Sequence, residues 1–334
     1  MAQKLRWGIL GLGGIAHRVM QGIGAAKNTE VVAAGSRNWD KAEAFAKQYH
    51  IPRSHGSYEG VVEDPQVDLV YVALPNHLHK EWTIRAIRAG KHVLCEKPFA
   101  MNEGEAWEMI AEAKKHKAFL MEAFMYRCHP QIAKLKELLK AKVIGEVRLI
   151  QSSFSFSGIN EDNCRMVLGQ GGGGLMDVGC YPVSLIRLIA GQEPTECQAT
   201  GAIGKKSRVD HWAAGFLKFP SGLIGHFDCG MMVQTDWSTN IYGTKGRLRL
   251  PKSWVPAPHE AFIEWTRYSD GKTRKFPAAA KHIFANEAEA IVRSLKKRQA
   301  PEMTWEDTLG NMRTLDKLRA SMGLYWPGEK RKKQ

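Results

Sequence analysis

Residues 7–19, Trp-Gly-Ile-Leu-Gly-Leu-Gly-Gly-Ile-Ala-His-Arg-Val, set Gly11, Gly13 and Ala16 in a Gly-x-Gly-x-x-Ala spacing. An apolar, β-prone run leads into it, and an amphipathic stretch from Ile15 to about Lys27 leads out. A strand that passes into a helix this abruptly needs glycine, because side chains would block both the turn and a close ligand. The helix that follows opens with N–H groups that have no intrahelical partner, and these suit phosphate oxygens. The spacing predicts a dinucleotide pyrophosphate at Gly11, Gly13, Gly14 and Ile15, with a purely structural glycine turn as the alternative.

The residues downstream favour the first reading. "EVVAAGS" reads as a second strand, "DKAEAFAKQY" as a helix and "VDLVYVAL" as a buried strand. A helix from about Leu78 to Ala89 stops at Gly90, and "KHVLCEK" is the next strand. Asn102, with Glu105 three residues on, looks like a capping box for a helix ending near His116, and "AFLMEAF" closes the series. Strands alternating with helices predict a parallel, doubly wound α/β sheet.

After about Arg127 the grammar changes. "GEVRLIQSSFSF", "ECQATGAI", "AAGFLKFPSGLIGHFDCGMM", "GRLRL" and "AFIEWTRYSDGKTRKF" read as strands joined by Pro-Ser-Gly and Ser-Asp-Gly turns. Helices are expected near 129–140, 182–190 and 282–322. The 334 residues thus divide into a dinucleotide-binding domain, 1–127, and an α+β domain, 128–334, with a large open, mostly antiparallel sheet.

Charge and cysteine content narrow the function. A net charge of +14 invites a nucleic-acid reading, but the cations are scattered and the densest run is the C-terminal "EKRKKQ". A solvated basic surface, with no nucleic-acid partner, is expected. Six cysteines show no Cys-x-x-Cys pair and no clustering with histidine, so no metal site is expected and reduced thiols are. No uninterrupted apolar run reaches the ~18 residues of a membrane span. The amino terminus superficially resembles a signal peptide, yet reads better as a strand entering the glycine turn. A cytoplasmic protein without a membrane partner is expected.

The end of the second strand bears on the cofactor. Dinucleotide sites for NAD usually hold Asp or Glu there, on the ribose 2′-hydroxyl. This chain has Ser36 and Arg37. A guanidinium pairs with a 2′-phosphate that a carboxylate would repel, so NADP(H) is expected, with NAD(H) possible if Asp40 reaches the ribose.

"ALPNHLH" and "CEKPFA", with the glycine turn and "GGGGLMDVGCY" at 171–181, make the chain resemble the glucose–fructose oxidoreductase / inositol 2-dehydrogenase / MocA family along essentially its whole length. The resemblance implies a Rossmann domain and an NAD(P)-dependent oxidoreductase. It implies cofactor contacts from Leu74, Pro75, Asn76, His79, Glu96, Lys97 and Arg165, with Pro98 fixing the local backbone, a cis bond being one way. Relatives often carry tryptophan before that arginine, and Cys164 departs from the pattern. Asp177 and Tyr181 fall at the acid and acid/base positions. Tyrosine rather than histidine at 181 resembles the branch of glucose–fructose oxidoreductase and the dimeric dihydrodiol dehydrogenases, so a homodimer or homotetramer is implied.

The implied reaction moves a hydride between nicotinamide and a secondary alcohol or carbonyl of a sugar, cyclic polyol or vicinal diol. A tyrosine titrates at about 10 in water, and a neighbouring ammonium lowers that value. Tyr181 is therefore assigned as acid/base, Lys97 as its tuner and Asp177 as substrate orienter; a version in which Lys97 carries the proton stays open. Pro182 argues against one regular helix through Asp177 and Tyr181. The four glycines are expected to admit the nicotinamide end and substrate, or else to form a structural loop. Tyr126 and Arg127, at the change of grammar, are candidate substrate contacts, with an interdomain salt bridge as the alternative for Arg127. The competing functions are a glycoside hydrolase that recycles bound NAD and a non-catalytic NAD(P) sensor.

Overall fold

A computed structural model describes residues 4–329 in two units. Among these residues, the first comprises 4–129 and 281–309, the second 130–280 and 310–329. The basic terminal run lies outside the described residues beyond Glu329.

The first unit is built on strands β1 (Leu5–Leu10), β2 (Thr29–Gly35), β3 (Arg53–His55), β4 (Leu69–Val72), β5 (His92–Cys95) and β6 (Leu120–Glu122). All pair in parallel, in the order β3-β2-β1-β4-β5-β6. Crossovers α1 (Gly14–Ile23), α2 (Trp39–Gln48), α3 (Tyr58–Glu63), α4 (His79–Arg88) and α5 (Glu103–His116) connect them. Every residue of β4 is buried, as a sheet covered on both faces requires. Asn38, Ser57 and Asn102 each accept an N–H in the first turn of the helix they cap. Asn102 takes the Glu105 amide at 2.9 Å, while the Glu105 carboxylate reaches Met101 N rather than Asn102 N.

The second unit holds α6 (Pro130–Lys140), β7 (Val147–Ser155), α7 (Cys180–Ala190) and β8 (Glu196–Ile203). Strands β9 (Asp210–Lys218), β10 (Ile224–Gly230), β11 (Thr239–Gly243), β12 (Gly246–Leu250), β13 (Phe262–Arg267) and β14 (Thr273–Pro277) follow. The eight strands run β14-β13-β12-β11-β7-β10-β9-β8, antiparallel except for β10 beside β7. Exposure largely alternates along β8, as on a sheet with one solvated face. Strand β11 was not foreseen: Thr-Asn-Ile-Tyr-Gly carries too little apolar residue to stand out.

Two sequence expectations are corrected here. The expected helix over 282–322 is two, α8 (Ile283–Ser294) and α9 (Trp305–Ser321), parted where Arg298 adopts φ 68° and Pro301 follows. The division at 127/128 also fails for residues 281–309, which return to the first unit. Helix α8 lies against α1 so closely that a Cβ on Gly22 would sit 2.5 Å from Phe284 Cβ, and Trp305 Nε1 donates to Leu120 O at 2.9 Å. Among the described residues, Leu168–Ala190 is long and apolar enough by composition to cross a membrane, although polar residues interrupt it. It carries Asp177 and Arg187, and 78% of its apolar window is buried inside the protein.

Candidate active site

In the first unit the phosphate turn has the geometry its sequence implies. Gly11 adopts φ 92°, and a Cβ there would lie 2.4 Å from Ala73 O. Gly13 and Gly14 are exposed, and nothing stands within 4 Å of where a Cβ would be. No side chain caps α1 at Gly13. An open helix N-terminus without a cap fits a pyrophosphate, so the nicotinamide dinucleotide has a cradle here. At the end of β2, Ser36 is buried and its Oγ accepts the Asn38 amide at 3.2 Å. Arg37 is exposed, its guanidinium carbon 5.9 Å from the Tyr58 ring centre.

The loops after β4 and β5 are joined by His79. Its Nε2 lies 2.8 Å from Leu74 O and its Nδ1 2.9 Å from Pro98 O, with no exposed surface. The two carbonyls favour the charged ring, but burial outweighs them and, with the Lys97 charge, pushes the pKa down to about 4. His79 therefore ties together the loops that carry Asn76, Glu96 and Lys97. That corrects the expectation of a direct cofactor contact, since an enclosed ring has no face left for a ligand.

The Lys97–Pro98 bond is cis. Glu96 is nearly buried; one carboxylate oxygen accepts from the Tyr71 hydroxyl, the other from the Lys97 amide at 3.2 Å. Phe99 N donates to Glu122 Oε1 at 3.0 Å, so a second buried acid anchors the same loop. Sequence reasoning missed Tyr71 and Glu122; the lone acid inside apolar "FLMEAF" was the available signal.

In the second unit Arg165 and Asp177 meet, with Nε 2.8 Å from Oδ2. Asp177 is 8% exposed, whereas the Arg165 side chain keeps 42% of its surface open. Residues Leu175–Gly179 form a π-helical turn, and α7 starts only at Cys180. The change of pitch accommodates Pro182, which has no N–H to give a regular helix. Tyr181, 3% exposed, is held edge-on by Phe154 (5.0 Å between ring centres) and Trp254 (5.7 Å). Phe154 also stacks on Trp254, so the aromatic strand around Phe154 builds the wall behind the phenol.

The glycines at 171–174 do not stand open. A Cβ on Gly172 would lie 2.3 Å from Arg165 O, and one on Gly173 2.2 Å from Asp210 Oδ1. Gly173 N donates to Arg165 O at 2.9 Å, and Leu175 N to Asp210 Oδ2 at 2.6 Å. The space that glycine frees is thus filled by protein, which corrects the expectation that these residues admit nicotinamide and substrate.

Tyr126 and Arg127 are corrected as well. Tyr126 has no exposed surface. The Arg127 side chain is 2% exposed, lies 3.0 Å from Asp307 and donates to Glu302 O at 2.9 Å. Burial alone would raise the Asp307 pKa, but the Arg127 charge and the Thr304 hydrogen bonds hold it below the usual value. A salt bridge is therefore present, but inside the first unit and not between domains as the alternative had it.

A doubly wound sheet with an uncapped glycine helix start, joined in one chain to a domain bearing a buried Asp–Tyr segment, defines a nicotinamide-dinucleotide oxidoreductase. Residues 5–124 match the oxidoreductase family with an NAD-binding Rossmann fold, and residues 132–249 match the GFO/IDH/MocA C-terminal domain. The chain belongs to the GFO/IDH/MocA family. It is 32% identical to mouse trans-1,2-dihydrobenzene-1,2-diol dehydrogenase over 98% of this chain and 99% of that one. It is 33% identical to D-xylose 1-dehydrogenase (NADP(+)) 2 of Haloferax volcanii, over 93% and 95% of the two chains. KijD10, a 3-ketoreductase from Actinomadura kijaniata solved with NADP and TDP-benzene, aligns with a TM-score of 0.89 at 30% identity, covering 96% of this chain and 98% of its own.

Proposed function

We propose that the protein is an NADP(H)-dependent oxidoreductase acting on a secondary alcohol or carbonyl of a sugar, cyclic polyol or vicinal diol. The observation that carries the reading is Tyr181: a phenol enclosed by Phe154 and Trp254, at the start of α7, just beyond the paired Arg165 and Asp177. The relatives named above act on a diol, a pentose and a keto substrate, which supports the substrate class. Gly13, Gly14 and Ile15 hold the pyrophosphate, Ser36 and Arg37 the 2′-phosphate, and Leu74, Pro75, Asn76 and Glu96 the nicotinamide half.

When bound, the nicotinamide accepts or returns the hydride. Tyr181 takes the hydroxyl proton during oxidation and gives it back during reduction. The Lys97 ammonium stabilises the phenolate and orients the hydroxyl. Asp177 is assigned to orient the substrate and pairs with Arg165, whose side chain is partly exposed.

The test combines NADPH and NADH titrations with turnover of aldoses, inositols and cyclic diols. Tyr181→Phe should lose about 10²–10⁴ in kcat, the range for general acid–base catalysis. Wild-type kcat in that variant would sink the assignment. Six free cysteines support a reducing, cytoplasmic setting. Exposed Trp212 on β9 and the exposed Val233 beside it support a homodimer or homotetramer, which light scattering would decide.

A further inference from the structure

We infer that Asp210 is a positioning residue for the reaction: its carboxylate, seated in the glycine turn, fixes the backbone from which Asp177 and Tyr181 project. The inference rests on the reading of Tyr181 as the acid/base group.

Asp210 opens β9 and is 1% exposed. Its Oδ2 accepts from Leu175 N at 2.6 Å, and the amides of Gly174 and of Asp210 itself also stabilise it. The turn is shaped around this carboxylate. Gly173 adopts φ 116°, where a Cβ would come within 2.2 Å of Oδ1, and a Cβ on Gly174 would be 3.3 Å from Oδ2 and 3.3 Å from Gly230 Cα. Successive N–H groups in such a turn form a concavity for an anion, and here the chain supplies its own.

The same turn carries the site. Gly173 N donates to Arg165 O and Gly173 O accepts from Asp177 N, both at 2.9 Å. One glycine thus links the Asp210 socket to both ends of the Arg165–Asp177 pair, and the π-turn then leads directly to Tyr181. Movement of the socket would move the paired groups.

Burial raises the Asp210 pKa to about 7, against backbone amides only, with no cation contributing. The titratable groups around it are Cys229 on β10, whose thiol its charge helps to push up, then Cys180 and Asp228 near that thiol. His211 follows it in β9 and meets Ser207 Oγ at 3.0 Å. A carboxylate so placed converts from acceptor to donor near neutral pH, and a protonated oxygen no longer serves the turn amides equally.

The experiment compares wild type, Asp210→Asn and Tyr181→Phe as full chains, measuring NADPH affinity, thermal midpoint and kcat against pH. Expected for Asp210→Asn are unchanged NADPH affinity, a kcat lower by about tenfold to a hundredfold from displaced groups, and loss of the acid limb near pH 7. Wild-type kcat and pH profile in Asp210→Asn, alongside a large loss in Tyr181→Phe, would overturn the Asp210 inference alone. Wild-type kcat in Tyr181→Phe would overturn the reading beneath it. If Asp210→Asn yields no folded protein, the residual activity of Tyr181→Phe decides. An acid limb near pH 7 that persists without the phenol supports the inference, and its absence there refutes it.

Discussion

The chain has two glycine-rich turns into helices, at 11–14 and at 171–174, and they do opposite things. At Gly13 and Gly14 no protein atom approaches the missing side chains, and the helix amides face outward with no cap. At Gly172 and Gly173 the missing side chains make way for Arg165 O and Asp210 Oδ1. The first turn closes against Ala73 O at Gly11 but leaves room for a ligand at Gly13 and Gly14. The second is occupied by a buried acid of the same chain. Glycine content alone therefore does not mark a ligand site; what fills the vacated volume does.

The largest expected effect that would test this contrast is a pH dependence. Burial holds the folded-state pKa of Asp210 at about 7, well above that of an ordinary aspartate. Such a carboxyl contributes stability that is fully present below its unfolded pKa and is lost as pH rises through the folded one. Between pH 4 and pH 7 the wild type should lose about 4 kcal/mol from this group, at 1.36 kcal/mol per unit, and Asp210→Asn should lack that slope. Denaturant midpoints across the pH range, compared between the two proteins, would show it; parallel curves would mean that the socket does not strain the acid. Next in size is Gly173→Ala. An alanine forced to φ 116° and pushed into Asp210 should cost about 3 kcal/mol. A thermal midpoint equal to wild type would break the claim that the second turn is filled.

How far the sequence revealed these two turns follows from what each depends on. The first is local: strand, turn and helix are contiguous, and Gly11, Gly13 and Ala16 belong to one motif. Local periodicity likewise placed most strands, and "ECQATGAI" and "GRLRL" coincide with β8 and β12. The second turn depends on Asp210, 35 residues away from Leu175, and no periodicity relates them. Its only trace was an acid heading the apolar run "VDHWAAGFLKF". The partner of Arg127 was illegible for the same reason, because Asp307 lies in a segment that returns to the first unit from far along the chain. His79 is a related case: the motif flagged it, but only packing reveals that both ring nitrogens face backbone carbonyls.

Smaller effects sharpen the first turn. Gly13→Ala meets no protein atom and sits at φ −82°, so its stability should stay within about 0.5 kcal/mol of wild type. Its methyl group would instead intrude on the pyrophosphate, and affinities for NADPH and NADH should both fall by about tenfold, or 1.4 kcal/mol. Calorimetric titration would check this. Unchanged binding would mean the phosphates lie elsewhere.

The smallest expected effect separates phosphate recognition from pyrophosphate recognition. Arg37 is exposed, beyond the buried Ser36, and Asn38 caps α2 through the Lys41 amide at 2.9 Å. Arg37→Ala leaves that cap and the strand in place, so the fold should not notice. An exposed charge pair contributes up to about 1 kcal/mol, so NADPH affinity should drop by roughly fivefold while NADH affinity stays constant. Equal losses for the two cofactors would show that Arg37 acts on the shared adenosine half rather than on the 2′-phosphate. In that case Asp40, in the first turn of α2, becomes the residue to test, with Asp40→Asn lowering NADH affinity and sparing NADPH.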